Sequence, residues 1–155
     1  MTDSEAKEQR RAWLATLAHA PRGPLLVFAQ RASEGLCFEP MRKPETGLVM
    51  LRARIDGSGN RFNLGEATLV RCIVRLRTDD AVTVGVGYCL GRDDERARCI
   101  AELDALLQQP SRHAHLMGGV IEPLRRQIDT TRAAARQRTA ASRVAFQTLR
   151  SEATG

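Results

Sequence analysis

Long hydrophobic runs are absent from the 155 residues, and nothing approaches the roughly 18 consecutive apolar positions of a membrane span. The N-terminus "MTDSEAKEQRR" is charged where a secretion leader turns apolar, so a cytoplasmic protein is expected. Cysteines number four, Cys37, Cys72, Cys89 and Cys99, with no C-x-x-C pair; this excludes a zinc ribbon or dithiol redox motif and leaves reduced, small apolar residues. Aromatic residues make up only 4%, too few to stack bases along a strand of nucleic acid. Lysine is nearly absent too. Only Lys7 and Lys43 stand among 24 basic residues, so the positive charge is carried by planar guanidinium groups suited to bidentate contact with phosphate or carboxylate. A GC-rich coding sequence produces the same bias, so the arginine content alone assigns no function.

The catalytic signatures are missing as well. "RIDGSGNRFNLGEATLVRCIVRLR", residues 54–77, places two glycines in a turn before an arginine-studded run. A phosphate-binding P-loop needs Gly-Lys followed by Ser or Thr, and neither lysine follows a glycine. A dinucleotide fingerprint would need a third glycine where Phe62 stands, and two flanking strands leave no helix N-terminus to receive an anion. The turn therefore reads as structural, its glycines supplying positive φ. His113 and His115 form an H-x-H pair without a third ligand at matched spacing, so no metal site is expected. No nucleophile sits in a recognisable elbow, and catalytic residues stay unknown. Glu66, after Gly65 at a strand's start, is a weak candidate whose plain alternative is a surface acid paired with an arginine.

What is present is an alternation of helix and strand periods. Ala12, Trp13, Thr16 and Leu17 recur at helical spacing within residues 4–19, "PRGP" interrupts, and "LLVFAQRAS" reads as a second short helix. Cys37 to Met41 is expected as an edge strand ending near Pro44. In "TGLVMLRARID", Val49, Leu51, Ala53 and Ile55 alternate with Leu48, Met50, Arg52 and Arg54. From 67 to 77, Val70, Cys72, Val74 and Leu76 form an apolar face opposite Leu69, Arg71, Ile73, Arg75 and Arg77. After "TDDA", Val82, Val84, Val86, Tyr88 and Leu90 are expected to face the core, with Thr83, Gly85, Gly87 and Cys89 outward. A helix over 93–108, with acids in its first turn, would cover the sheet through Ile100, Leu103, Leu106 and Leu107. The fold class is α+β: N-terminal helices, a small antiparallel sheet covered by a helix, and a long C-terminal helix.

Charge divides the chain further. Residues 1–34 hold five basic and four acidic side chains, residues 35–110 eleven of each, and residues 111–155 eight and three, so the positive excess is C-terminal. We expect an α+β domain over 1–110 and a basic helical extension over 111–155, whose stripe thins through "RAAARQRTAAS" before Val144, Phe146 and Leu149 restore apolar character as partner-docking candidates. Arg52, Arg54, Arg71, Arg75 and Arg77 share one side of the expected sheet, with Gly85 and Gly87 leaving a trough beside them. Clustered guanidinium groups repel unless something acidic meets them: a phosphate-rich ligand, a partner's carboxylates, or the chain's own acids.

"KPETGLVMLRARIDGSGNRFNLGEATLVRCIVRL", "GVGYCLGRDDERA", "IAELDALLQ", "ASRVAFQTLRS" and the N-terminal "RRAWLATLAHA" together resemble the G subunit of the bacterial carbon-phosphorus lyase core complex over nearly the whole chain. The resemblance implies a non-autonomous subunit of a transferase in phosphonate catabolism. In that family, with H, I and L partners, adenine is displaced from ATP and the ribose triphosphate is joined to methylphosphonate. It implies H, I and J subunits as partners, with ATP-binding-cassette-type K and L proteins associated, and no nucleic acid or membrane. ATP would be the complex's co-substrate, no cofactor would bind this chain, and iron-sulfur and S-adenosylmethionine chemistry would belong to the J subunit. The family supplies no catalytic residue to carry over. The alternative readings are a basic nucleic-acid-binding module, motivated by a pI near 9.9, and a free-standing nucleotide hydrolase using Glu66 and the arginine face.

Overall fold

The computed structural model describes residues 2–55, 59–79 and 81–141. Helix α1 spans Asp3–His19 and is opened by a capping box, in which the Glu5 amide donates to the Thr2 hydroxyl while the Glu5 carboxylate accepts from the Thr2 amide. Helix α2 is Arg22–Ser33. Strands β1 (Phe38–Arg54), β2 (Arg61–Arg77) and β3 (Val82–Leu90) form one antiparallel sheet in the order β1-β2-β3. Helix α3 (Asp94–Leu107) lies across it, and α4 (Pro110–Leu116), a π-helical turn (Met117–Ile121) and α5 (Glu122–Ala141) follow. The expected α+β architecture is therefore present. The edge strand and the run after it are one 17-residue strand, because irregularities near Arg42 and Glu45 let pairing with β2 continue past Pro44.

The core lies between sheet and helices. Val70, Cys72, Val74 and Leu76 of β2 meet Ile100, Leu103, Leu106 and Leu107 of α3, with Trp13, Leu17, Leu25 and Ala29 closing one side. Leu116, Val120, Ile121 and Leu124 join the same core, whereas residues 129–140 of α5 are exposed. The four thiols are free, and Cys72, Cys89 and Cys99 are buried. Burial pushes the Cys99 thiol up to about 11, which makes it a small apolar side chain rather than a nucleophile.

Strand β3 is inverted relative to the expectation. Thr83, Gly85, Gly87 and Cys89 face α3, while Val82, Val84, Tyr88 and Leu90 are exposed. Antiparallel register fixes this, since Val74 lies opposite Gly85 and Cys72 opposite Gly87, and directly paired residues share a face. The cause is close approach. A Cβ on Gly85 would run into the Ala101 carbonyl oxygen and stand 2.7 Å from the Ala105 amide nitrogen, and one on Gly87 would collide with the Ala97 carbonyl. The glycines form the floor on which Ala97, Ala101 and Ala105 rest, not a trough beside arginines.

Of the two hairpin glycines, Gly57 lies outside the described residues and Gly59 needs a similar correction. Positive φ occurs at Gly35, Gly65 and Gly91 among the described residues. Gly59 instead allows a tight approach: its amide donates to the Ile55 carbonyl at 2.8 Å, and an added Cβ would lie 2.8 Å from that oxygen.

Candidate functional site: the open face of the sheet

One face of the sheet carries α3, and no helix covers the other among the described residues. Register places Leu69 opposite Leu90, Arg71 opposite Tyr88, Ile73 opposite Val86, Arg75 opposite Val84 and Arg77 opposite Val82. The open face thus has an apolar row along β3 and a mixed row along β2. Val82 and Leu90 are each 60% exposed and Tyr88 45%, an unusual cost for side chains that normally pack inward.

The chain's own acids meet three of the five sequence-identified arginines. Glu45 accepts from Arg71 at 3.2 Å and from Arg42 at 3.0 Å, while Glu39 pairs with Arg75 at 3.4 Å and Arg77 at 3.8 Å. Desolvation pulls the Glu45 carboxyl upward, but hydrogen bonds from Arg71 and Arg42 outweigh it and hold the carboxyl below its ordinary value. Arg52 and Arg54 are not part of that cluster. They stand opposite Asn63 and Arg61, so eight residues of β2, about 26 Å at 3.3 Å each, separate Asn63 from Arg71. Glu66 is also remote, exposed opposite Met50. Val144, Phe146 and Leu149 lie outside the described residues.

The free edge of β3 shows a polar arrangement that the sequence reading missed. Asp104, on α3 and fully buried, accepts from Trp13 Nε1 at 2.8 Å, from Arg10 Nη2 at 2.6 Å and from the Val86 amide at 2.9 Å. Arg10 Nη2 and Gln108 Nε2 then donate to the Val84 carbonyl at 3.1 and 2.9 Å. Two of the edge strand's backbone groups, the Val84 carbonyl and the Val86 amide, are thereby occupied, which disfavours pairing with another chain at that point. Asp104 hides in the sequence because it interrupts the apolar stripe of α3 as an ordinary surface acid would.

The same network borders a cavity of about 670 Å³ lined by Trp13, Leu107, Pro110 and His113. His113 Nδ1 contacts the Leu107 carbonyl at 2.7 Å, and a carbonyl only accepts, so Nδ1 carries the proton. Nε2 is then the acceptor for Gln9 Nε2–H at 3.1 Å. Both ring nitrogens serve the fold. His115 lines a different cavity beside Phe28 and Arg31, so the H-x-H pair does not converge. Among the described residues, no three His, Cys, Asp or Glu side chains gather where they could hold a metal ion. No helix among them is long and apolar enough to cross a membrane.

The fold defines an α+β domain with an open sheet face of apolar rows and internally paired arginines. Comparison with known proteins gives its family. The model of the family described as phosphonate metabolism protein PhnG matches residues 8–151. The chain is similar to the alpha-D-ribose 1-methylphosphonate 5-triphosphate synthase subunit PhnG of Rhizobium meliloti (strain 1021), with 39% identity over 148 residues, 96% of this chain and 92% of the relative. The chain belongs to the phosphonate metabolism protein PhnG family.

Proposed function

We propose that this chain is a non-autonomous subunit of the bacterial carbon-phosphorus lyase core complex, acting in its α-D-ribose 1-methylphosphonate 5-triphosphate synthase reaction. The observation that carries the reading is the likeness to the named synthase subunit along almost all of both chains. The open apolar face of the sheet supports it, because such a surface is a liability in a monomer and an asset in an assembly.

In the proposed reaction a methylphosphonate oxygen forms a bond to C1′ of ATP, the glycosidic bond to adenine breaks, and adenine leaves with a proton. This chain's part is structural: it presents the sheet face to partners whose side chains complete the site. The H, I and J subunits, with the associated K and L proteins, are the proposed partners. ATP enters as the complex's co-substrate, and the iron-sulfur and S-adenosylmethionine chemistry belongs to a partner. A cytoplasmic location follows from that role.

Co-expression with tagged partner subunits tests the reading. The chain should be recovered in fixed stoichiometry and survive gel filtration as part of the complex. Recovery as a lone monomer beside an intact assembly of the others would overturn it.

A further inference from the structure

Strands β1 and β2 continue well past the helices. Of residues 48–55 and 61–66, only Val49 and Ala53 are half-buried and the rest are exposed. From Thr46 to Arg54 the strand has nine residues, a reach of about 30 Å at 3.3 Å per residue. Register distributes its side chains unequally. Leu48, opposite Thr68, and Met50, opposite Glu66, share a face, while Phe62 pairs with Ala53 on the other and Leu64 is the unpaired residue of a bulge in β2. Leu48 is 68% exposed, Leu64 63%, and Ile55 at the arm's end 61%. A two-stranded ribbon is marginal by itself in water, and this one sets its large apolar side chains in solvent.

Charge separates the arm's end from its base. The arginines at the base are paired with Glu39 and Glu45. At the far end, the bulge opposite Leu51 and Arg52 places its extra residue, Leu64, on β2, so β1 keeps its alternation and Arg52, opposite Asn63, and Arg54, opposite Arg61, follow Leu48 and Met50 on one face. No carboxylate pairs with these three arginines among the described residues; Arg54 reaches only the Gly59 carbonyl, at 3.3 Å. Glu66 stands opposite Met50 and forms no ion pair with them, and Asp56 lies outside the described residues.

We propose that the β1–β2 arm anchors this chain in its complex by lying against another protein subunit, whose apolar patch receives Leu48 and Met50 and whose carboxylates meet Arg52, Arg54 and Arg61 further along the same face. The proposal rests on the subunit reading above. A second copy is a poor occupant, because its sheet carboxylates Glu39 and Glu45 are already engaged by its own Arg42, Arg71, Arg75 and Arg77. An acidic, apolar protein surface answers both halves of that face, whereas nucleic acid would answer only the arginines.

The test compares hydrogen exchange of the isolated full chain with that of the chain inside the co-purified complex, together with R52E/R54E/R61E and L48S/M50S variants. Amides of 48–54 and 61–66 should gain protection on assembly. Both variants should keep the wild-type circular dichroism spectrum, since the altered side chains are exposed, yet bind the complex about tenfold or more weaker. Raised salt should weaken wild-type binding but not that of the charge-reversed chain. A chain that co-purifies with its arm exchanging as freely as in isolation, or variants that bind normally, would overturn the arm proposal and leave the subunit reading standing. Failure of the wild-type chain to co-purify would overturn both. Arm-dependent dimerisation of the isolated chain would assign the arm to self-association and also overturn the proposal.

Discussion

Gly85→Ala should be among the most destabilising single-methyl additions in this protein. Gly85 lacks a positive φ, so alanine meets no backbone penalty there, and in an open strand it would gain up to about 1 kcal/mol from reduced chain entropy. The obstacle is entirely steric. The new Cβ falls against the Ala101 carbonyl and within 2.7 Å of the Ala105 nitrogen and 2.9 Å of its Cβ. Those are mostly helix backbone atoms held by their own hydrogen bonds, so relief requires α3 to move off the sheet and open the contacts of Leu103 and Leu106. Overpacking a core costs about 1–3 kcal/mol where side chains can yield; with backbone in the way, we expect about 3 kcal/mol or more. For a chain of this size that lowers the midpoint by about 6–12 °C. Thermal unfolding followed by circular dichroism measures it, with Val84→Ala as the control on the open face, expected within about 2 °C of wild type. If Gly85→Ala melts at the wild-type temperature or above, the glycines face solvent and the inverted orientation of β3 is wrong.

Three further perturbations probe other parts of the account. Asp104→Ala leaves Trp13 Nε1 and the Val86 amide without their acceptor and frees Arg10 from its pair, so chemical denaturation should show a loss of about 3–5 kcal/mol; a loss below about 1 kcal/mol would refute the role of the network. Asp93 caps α3 by accepting from the Arg96 amide at 3.0 Å, and Asp93→Ala should cost about 1 kcal/mol at neutral pH. That amide, the chief cause, with further help from Arg22, lowers the Asp93 carboxyl from its ordinary 3.8 against some desolvation. The stabilisation is therefore complete above pH 3.8 and lost as pH falls below it, and urea titrations should show the gap between wild type and Asp93→Ala narrowing in acid, not staying constant. Arg71→Ala removes a half-exposed pair with Glu45 and should change stability by less than about 0.5 kcal/mol while weakening assembly; normal assembly would return the open face to a bland surface.

The elements were largely legible in the sequence because their periods are strong. Trp13 and Leu17 on α1, the β2 alternation from Val70 to Leu76, and the Ile100 to Leu107 stripe all face where their spacing places them. Strand β3 misled because apolar size was read as burial. Its valines and Tyr88 look like core, yet the helix packs so closely that only hydrogen atoms fit beneath it. The signal was present on the other partner: Ala97, Ala101 and Ala105 recur every four residues along α3, a small-residue ridge that calls for an equally small strand surface. The arginine cluster was half legible. Alternation within each strand does not say which face of β1 meets which face of β2, and pairing Leu48 with Thr68 sets Arg52 and Arg54 on the side away from Arg71, Arg75 and Arg77; it also gives no hint of how far apart two pairs lie along a strand, or that Glu39 and Glu45 reach three of them. Asp104 was illegible, since what makes it structural is tertiary: three donors from α1 and β3 that are 18 to 94 residues away in sequence.

The central claim is that this chain acts as one part of a larger catalyst. Adenine release from ATP in the presence of methylphosphonate, measured for the pure chain, for the partner subunits without it, and for the reconstituted mixture, tests that claim most directly. The account predicts release from the mixture alone, restored to the incomplete set of subunits when this chain is added back. Release by the pure chain at the mixture's rate, or full release by the partners in its absence, would contradict it.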